Sequence, residues 1–195
     1  NIPILSDLGR EIRHAFVPAK GYILVDADYS QIELRILAHL SDDPGLISGF
    51  RDGADIHTRP AATIFEKPES EVESNEREAA KTINYGVIYG QGPRALSSQI
   101  GVSFEEARSF IDDYFEKYCG VREFIDSCKE KAAEKGYAET MFGRRRGLEN
   151  INSDNARLKS FAERIAVNMP IQGTAADMIK IAMIDIDRAI REQKL

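Results

Sequence analysis

The sequence predicts an α+β fold that is predominantly helical, and three observations predict it. Apolar residues recur every three or four positions over most of the chain, as in Ala107, Phe110, Ile111, Tyr114 and Phe115. Only two segments, 22–25 and 137–148, carry the patterning of strands. Breakers such as Asp42-Asp43-Pro44-Gly45 and Gly90-Gln91-Gly92-Pro93 cut the periodic stretches into single-helix lengths.

In chain order, Tyr22 to Val25 reads as a short buried strand, opened by Gly21 and closed by an Asp-rich turn. Apolar residues from Ser30 to about Leu40 follow helical spacing, and short helical pieces continue to Phe65. Pro60 favours a helix start near itself, because a proline deep inside a helix removes a hydrogen bond. The stretch Glu66 to Asn75 is an acidic loop, and Ser74 is read as the N-cap of a helix over 75–89. A short helix is expected over 94–100, then longer ones over 104–118 and 121–135, the second with Phe124, Ile125 and Cys128 inward. Weak alternation around Phe142-Gly143 predicts a small hairpin carrying Arg144, Arg145 and Arg146. A helix follows over 156–167. Pro170 is read as the first residue of a last long helix, with Ile171, Ala175, Met178, Ala182, Ile186 and Ala189 on one face.

At 195 residues the chain is long enough to bury a substantial core. No apolar run approaches a membrane span, and Asn1-Ile2-Pro3 has neither signal-peptide character nor an initiator Met, so a fragment is expected. Cys119 and Cys128 lack metal-ligand or disulfide-framework spacing, which fits a reducing, cytoplasmic setting. The net charge of −6 excludes nonspecific coating of DNA but not a local contact. Acid is concentrated between Glu66 and Glu78. Base is concentrated in Arg144 to Arg146 and in Arg157, Lys159 and Arg164.

Two segments carry chemistry. The first is Val25-Asp26-Ala27-Asp28-Tyr29-Ser30-Gln31-Ile32-Glu33-Leu34-Arg35, running from the expected strand into a helix. Phosphoryl transfer to a sugar hydroxyl can use two divalent metals bridged by carboxylates, and a strand end holds such a ligand rigidly. An Asp-x-Asp pair alone is weak evidence, and Ser30 with Glu33 also reads as a capping box. The second segment places Arg77, Lys81, Tyr85 and Tyr89 four residues apart on one helix face. The cations suit the β- and γ-phosphates of a nucleotide, and a tyrosine ring stacks on any base. A solvated face explains the cations; it does not explain two tyrosines and Gly86 on the same side.

The strings Asp28-Tyr29-Ser30-Gln31-Ile32-Glu33-Leu34-Arg35 and Arg77-x-x-x-Lys81-x-x-x-Tyr85-Gly86-x-x-Tyr89-Gly90 together resemble the nucleotide-site motifs of family A DNA polymerases, the bacterial DNA polymerase I type. The string Arg164-x-x-x-Asn168-x-Pro170-x-Gln172-Gly173-Thr174-Ala175-Ala176-Asp177 extends the resemblance over nearly the whole chain. The resemblance implies a helical fingers subdomain over 41–160. It further implies a partial palm over 1–40 and a palm helix over 161–195. The implied function is DNA-directed DNA synthesis in replication and repair, in a bacterial cytoplasm, by a monomer. Asp28 is the implied Mg²⁺ ligand. Arg77 and Lys81 are implied to hold the triphosphate, with Lys81 also placed to protonate the leaving pyrophosphate. Gln31, Glu33, Tyr85 and His57 are implied to line the dNTP, Glu33 crowding the sugar 2′ position. Tyr89 and Gly90 are implied at the templating base, and Arg164, Asn168 and Gln172 along the template and minor groove, where contacts read pair geometry and not sequence. Many members have Phe at the Tyr85 position, and Pro60 leaves the aim of His57 open.

The same resemblance places the third motif, with the second metal-binding Asp, beyond Leu195, and the thumb before Asn1. None of the three His precedes an Asp. The chain alone is therefore expected to be an inactive piece, partnered by the rest of a polymerase chain, primer–template DNA and dNTP, and by no membrane. Two rivals stand beside this reading. One is a noncatalytic nucleic-acid or nucleotide-binding module; the other is a metal phosphohydrolase using Asp26 and Asp28. Template dependence separates the polymerase from both.

Overall fold

The computed structural model describes residues 6–53, 55, 58–65 and 67–193. They divide into two compact units, Asn1–Ser30 and Gln31–Leu195. In the first unit, α1 (Asp7–His14) is capped by Ser6, whose hydroxyl accepts the Gly9 amide at 3.1 Å. The strand expected at 22–25 does not form. Tyr22, Ile23, Leu24 and Val25 are 65–82 % exposed, and the one sheet among the described residues lies elsewhere. The apolar run reports a tendency to be buried, but a strand exists only where a second strand completes its hydrogen bonds.

The second unit is helical. Its elements are α2 (Ile32–Ser41), α3 (Pro44–Arg51), α4 (Thr58–Ile64), a 3-10 turn at Glu69–Glu71, α5 (Ser74–Ile88) and α6 (Pro93–Ile100). There follow α7 (Phe104–Lys117), α8 (Cys119–Lys135), the hairpin β1 (Tyr137–Glu139) and β2 (Arg145–Gly147), α9 (Ala156–Asn168) and α10 (Thr174–Gln193). The hairpin is antiparallel, with Ala138 opposite Arg146. α2 packs against α3, α8 and α10, so Leu34, Ile36, Leu37 and Ala38 lie in the main core. Ile83 and Ile88 of α5, Leu96 of α6, Val121 of α8 and Ile171 complete it. A smaller core of Ala132, Ala138, Leu148, Ile151, Ala162, Ala166 and Met169 sits under the hairpin.

Local chemistry explains the joints. Asp43 is 1 % exposed, and its two carboxylate oxygens accept the Leu46 amide of α3 and the Gly120 amide of α8, each at 3.0 Å. One side chain thereby satisfies donors at two helix N-termini. α7 opens on a reciprocal Ser103–Glu106 capping box. The N-cap of α5 is Glu73, not Ser74: Glu76 folds back to accept the Glu73 amide at 2.9 Å and takes Lys67 at 2.5 Å.

Pro170 does not open α10. It lies inside a π-helical turn, Met169–Gly173, that continues α9 into α10. A proline ring clashes with the carbonyl four residues back, and the wider π turn relieves that clash without ending the helix. Of the face expected on the last helix, Ile171 and Ala175 are buried and Met178 packs on the core, but Ile186 is 54 % exposed.

Candidate functional site

α5 separates its two faces cleanly. Ala80, Ile83, Asn84, Val87 and Ile88 are buried, while Arg77, Lys81, Tyr85 and Tyr89 form a half-buried stripe on the other side. The Tyr85 and Tyr89 rings stack with centroids 6.2 Å apart at an interplanar angle of 28°. A shallow groove of about 280 Å³ runs beside them, lined by Lys81, Tyr85, Tyr89, Gln91 and Gln99 among others. Both cations already hold carboxylates: Arg77 Nε lies 2.7 Å from Asp55 and Lys81 Nζ 3.3 Å from Glu78. Exposed pairs of this kind are worth about 0–1 kcal/mol, so a polyanion can displace them at little cost.

Glu33 is not the N3 member of a capping box. The N-cap of α2 is Gln31, which is left-handed at φ 55 and makes no side-chain cap. A left-handed non-glycine residue stores about 1 kcal/mol or more of strain. The Glu33 carboxylate instead accepts a hydrogen bond from the Tyr89 hydroxyl, tying α2 to the end of α5. The Gln172 carboxamide of the π turn also bears on that hydroxyl. Burial pushes the Tyr89 pKa well above the ordinary tyrosine value; the bond to Glu33 pushes it further, and Gln172 pulls it back. Tyr85 is raised too, by burial and then by the Glu33 charge.

The chain after Tyr89 needs glycine. Gly90 has φ +70, and a Cβ there would come 3.1 Å from Arg164 Cγ. A Cβ on Gly86 would sit 2.4 Å from Gln91 Oε1, whose amide nitrogen in turn donates to Gln99 at 2.8 Å. Arg164 is exposed, donates to Ser160 Oγ at 3.0 Å, and lies 5.8 Å from the Phe161 ring centroid. Asn168 Oδ1 is buried without a hydrogen-bond partner among the described residues.

The structure thus gathers Glu33, Tyr85, Tyr89, Gly90, Arg164 and Gln172 around the C-terminal end of α5, with Lys81 and Arg77 successively further along the helix. His57 lies outside the described residues. Asp26 and Asp28 are exposed in an irregular segment of the first unit. Among the described residues no three Asp, Glu, His or Cys side chains form a group that could hold a metal. Mg²⁺ takes one or two carboxylates together with phosphate oxygens and waters. The donor set therefore fits one carboxylate's share of such a site and not the whole.

Three further residues have partners that no local pattern shows. Asp43 looked like part of a breaker. Asp177 and Arg144 form a pair at 2.7 Å, and Arg144 Nη2 also donates to the Gly173 carbonyl at 3.0 Å. The hairpin arginines accordingly differ from one another: Arg144 is committed to this clamp, and Arg145 bonds Glu139 at 3.0 Å over the Tyr137 ring. Arg146 is exposed and makes no salt bridge among the described residues.

A family model described as DNA polymerase family A matches residues 1–195. The chain is 50 % identical over 193 residues to the DNA polymerase I of Streptococcus pneumoniae serotype 4, covering 97 % of this chain and 22 % of that protein. It is 48 % identical over 195 residues to the DNA polymerase I of Pseudomonas aeruginosa, covering 100 % and 21 %. A solved structure, the POL domain of Pol1 from M. smegmatis in complex with DNA primer-template and dNTP, is similar at TM-score 0.91 and 44 % identity, over 100 % of this chain and 35 % of that one. The chain thus spans about a fifth of the length of these curated relatives.

Proposed function

The chain belongs to DNA polymerase family A, and from that premise we propose that it is the nucleotide-gripping part of a template-directed DNA polymerase. The single observation that carries the proposal is the α5 stripe. Arg77, Lys81 and Tyr85 line one helix face, and Tyr89 at its end is held by Glu33 and approached by Gln172. The reaction is attack of a primer 3′-hydroxyl on the α-phosphate of a dNTP, with release of pyrophosphate. Arg77 and Lys81 exchange their carboxylate partners for the β- and γ-phosphates, where Arg binds bidentately and Lys acts as a point charge. Tyr85 stacks on the incoming base. Gln31 and Glu33 lie at the sugar, and the Glu33–Tyr89 bond holds that carboxylate where a ribose 2′-hydroxyl would clash. Tyr89 and Gly90 meet the templating base; Arg164, Asn168 and Gln172 follow the template and minor groove.

In this reading residues 41–160 are the fingers, 1–40 part of the palm and 161–195 a palm helix. Asp28 is the one carboxylate that this reading assigns to a divalent-metal site. His57 is placed near the triphosphate. A bound Mg²⁺ would polarise the α-phosphate and stabilise the charge that develops there.

Binding and synthesis test this separately. The chain should bind primer–template DNA and take up a complementary dNTP in preference to a mismatched one, and Lys81→Ala should weaken the dNTP while sparing the DNA. Primer extension with Mg²⁺, beside an Asp28→Ala control, should yield no product, because one carboxylate does not make the two-metal site. Extension lost in the control would show that the missing ligand comes from Asp26 or from another subunit. DNA binding without any dNTP selectivity would leave a noncatalytic binding module in place of the polymerase reading.

A further inference from the structure

We infer that Arg144 is a positioning residue: through its bonds to Gly173 and Asp177 it fixes the π-helical turn, and with it the placement of Gln172, the residue next to Gly173. The inference rests on the reading above for its consequence on DNA, but its geometry stands independently.

The hairpin closes over the turn at three points. Arg144 Nη2 donates to the Gly173 carbonyl at 3.0 Å while Nε donates to Asp177 at 2.7 Å. The Met141 amide donates to the Thr174 hydroxyl at 3.0 Å. Thr140 fills the space beside Gly173, where a Cβ would come within 2.6 Å of its methyl carbon. A π turn spaces its residues differently from an α-helix, so the same chain could place Gln172 about a third of a turn away. The Gly173 carbonyl is one of the groups whose partner differs between those two windings, and Arg144 is the side chain that holds it. A lysine could keep the charge pair with Asp177 but could not make both bonds from one planar group. Arg144 therefore links a surface hairpin, through Gly173, to the turn that carries Gln172.

The test uses the whole 195-residue chain and needs no catalysis. The Gln172 side-chain amide is assigned with Gln172→Ala and followed by NMR. Arg144→Met should shift that signal, and Arg144→Lys should move it part of the way back. Arg145→Met, which breaks a neighbouring pair in the same hairpin, should leave it in place. Should Arg144→Met fail to fold, Arg144→Lys against wild type decides. An unchanged signal in a folded Arg144 variant would overturn the inference, as would an equal shift in Arg145→Met. In parallel, the preference for a matched over a mismatched primer terminus should fall several-fold in Arg144→Lys. A wild-type chain that binds no primer–template would defeat the polymerase reading and leave the NMR result to judge Arg144.

Discussion

Tyr85 and Glu33 show how a residue's partners decide its meaning. Tyr85 carries a hydroxyl on its half-buried ring, and the nearby Glu33 charge raises its pKa after burial does. Within the proposed activity, Tyr85→Phe should strengthen discrimination against 3′-deoxynucleotides; a competition assay with unchanged discrimination would remove that role for the hydroxyl. Gly120 is a different kind of residue. A Cβ there would lie 3.0 Å from both the Asp43 Cα and the Ser41 carbonyl oxygen, which are backbone and cannot swing aside. Gly120→Ala should therefore destabilise the chain by about 1–3 kcal/mol in urea unfolding, despite alanine's better helix propensity. Asp43→Ala removes the acceptor for two N-terminal amides and should lose about 2 kcal/mol in the same assay.

At the scale of elements, the hairpin clamp carries a pH signature. Burial raises the Asp177 pKa, but hydrogen bonds from Thr140 and Arg144 outweigh it, and the net shift is downward. A carboxylate with a depressed folded pKa contributes stability above its unfolded value, and that contribution is lost as pH falls through the folded one. The melting-temperature gap between wild type and Arg144→Met should thus be full at neutral pH and shrink below about pH 4. A gap independent of pH would mean that the Gly173 bond, and not the charge pair, dominates. α10 makes a second prediction. Its start is held by Thr174 and Ala175 in the core, whereas Met183, Ile184, Ile186 and Ile190 are 44–64 % exposed. Helix without tertiary packing is marginal in water, so amides over 183–193 should exchange with deuterium much faster than those over 174–180.

For the molecule as a whole, the division after Ser30 means that residues 31–195 contain both cores and, among the described residues, every helix except α1. A chain of residues 31–195 should keep its helical circular dichroism and unfold cooperatively; loss of both would show that the first unit is needed for the second to fold. No described helix is long and apolar enough to cross a membrane. The helices and their order were legible because apolar spacing and breakers are local properties, and α7, α8 and α9 follow them to within a residue or two. The motif residues were legible as residue types at fixed spacing, which is how the α5 stripe and the family could be read from the chain alone. Other features depended on contacts between distant residues, and no local pattern encodes those. The run 22–25 has no pairing partner, Glu33 takes Tyr89 across 56 positions instead of capping its own helix, and Arg144 grips Gly173 and Asp177 about thirty residues on. The sequence by itself determined the helical character, the family and the order of residue types along α5. Only the tertiary structure decided which carboxylates and carbonyls those side chains hold, because such bonds form where folding brings a donor and an acceptor within 3 Å.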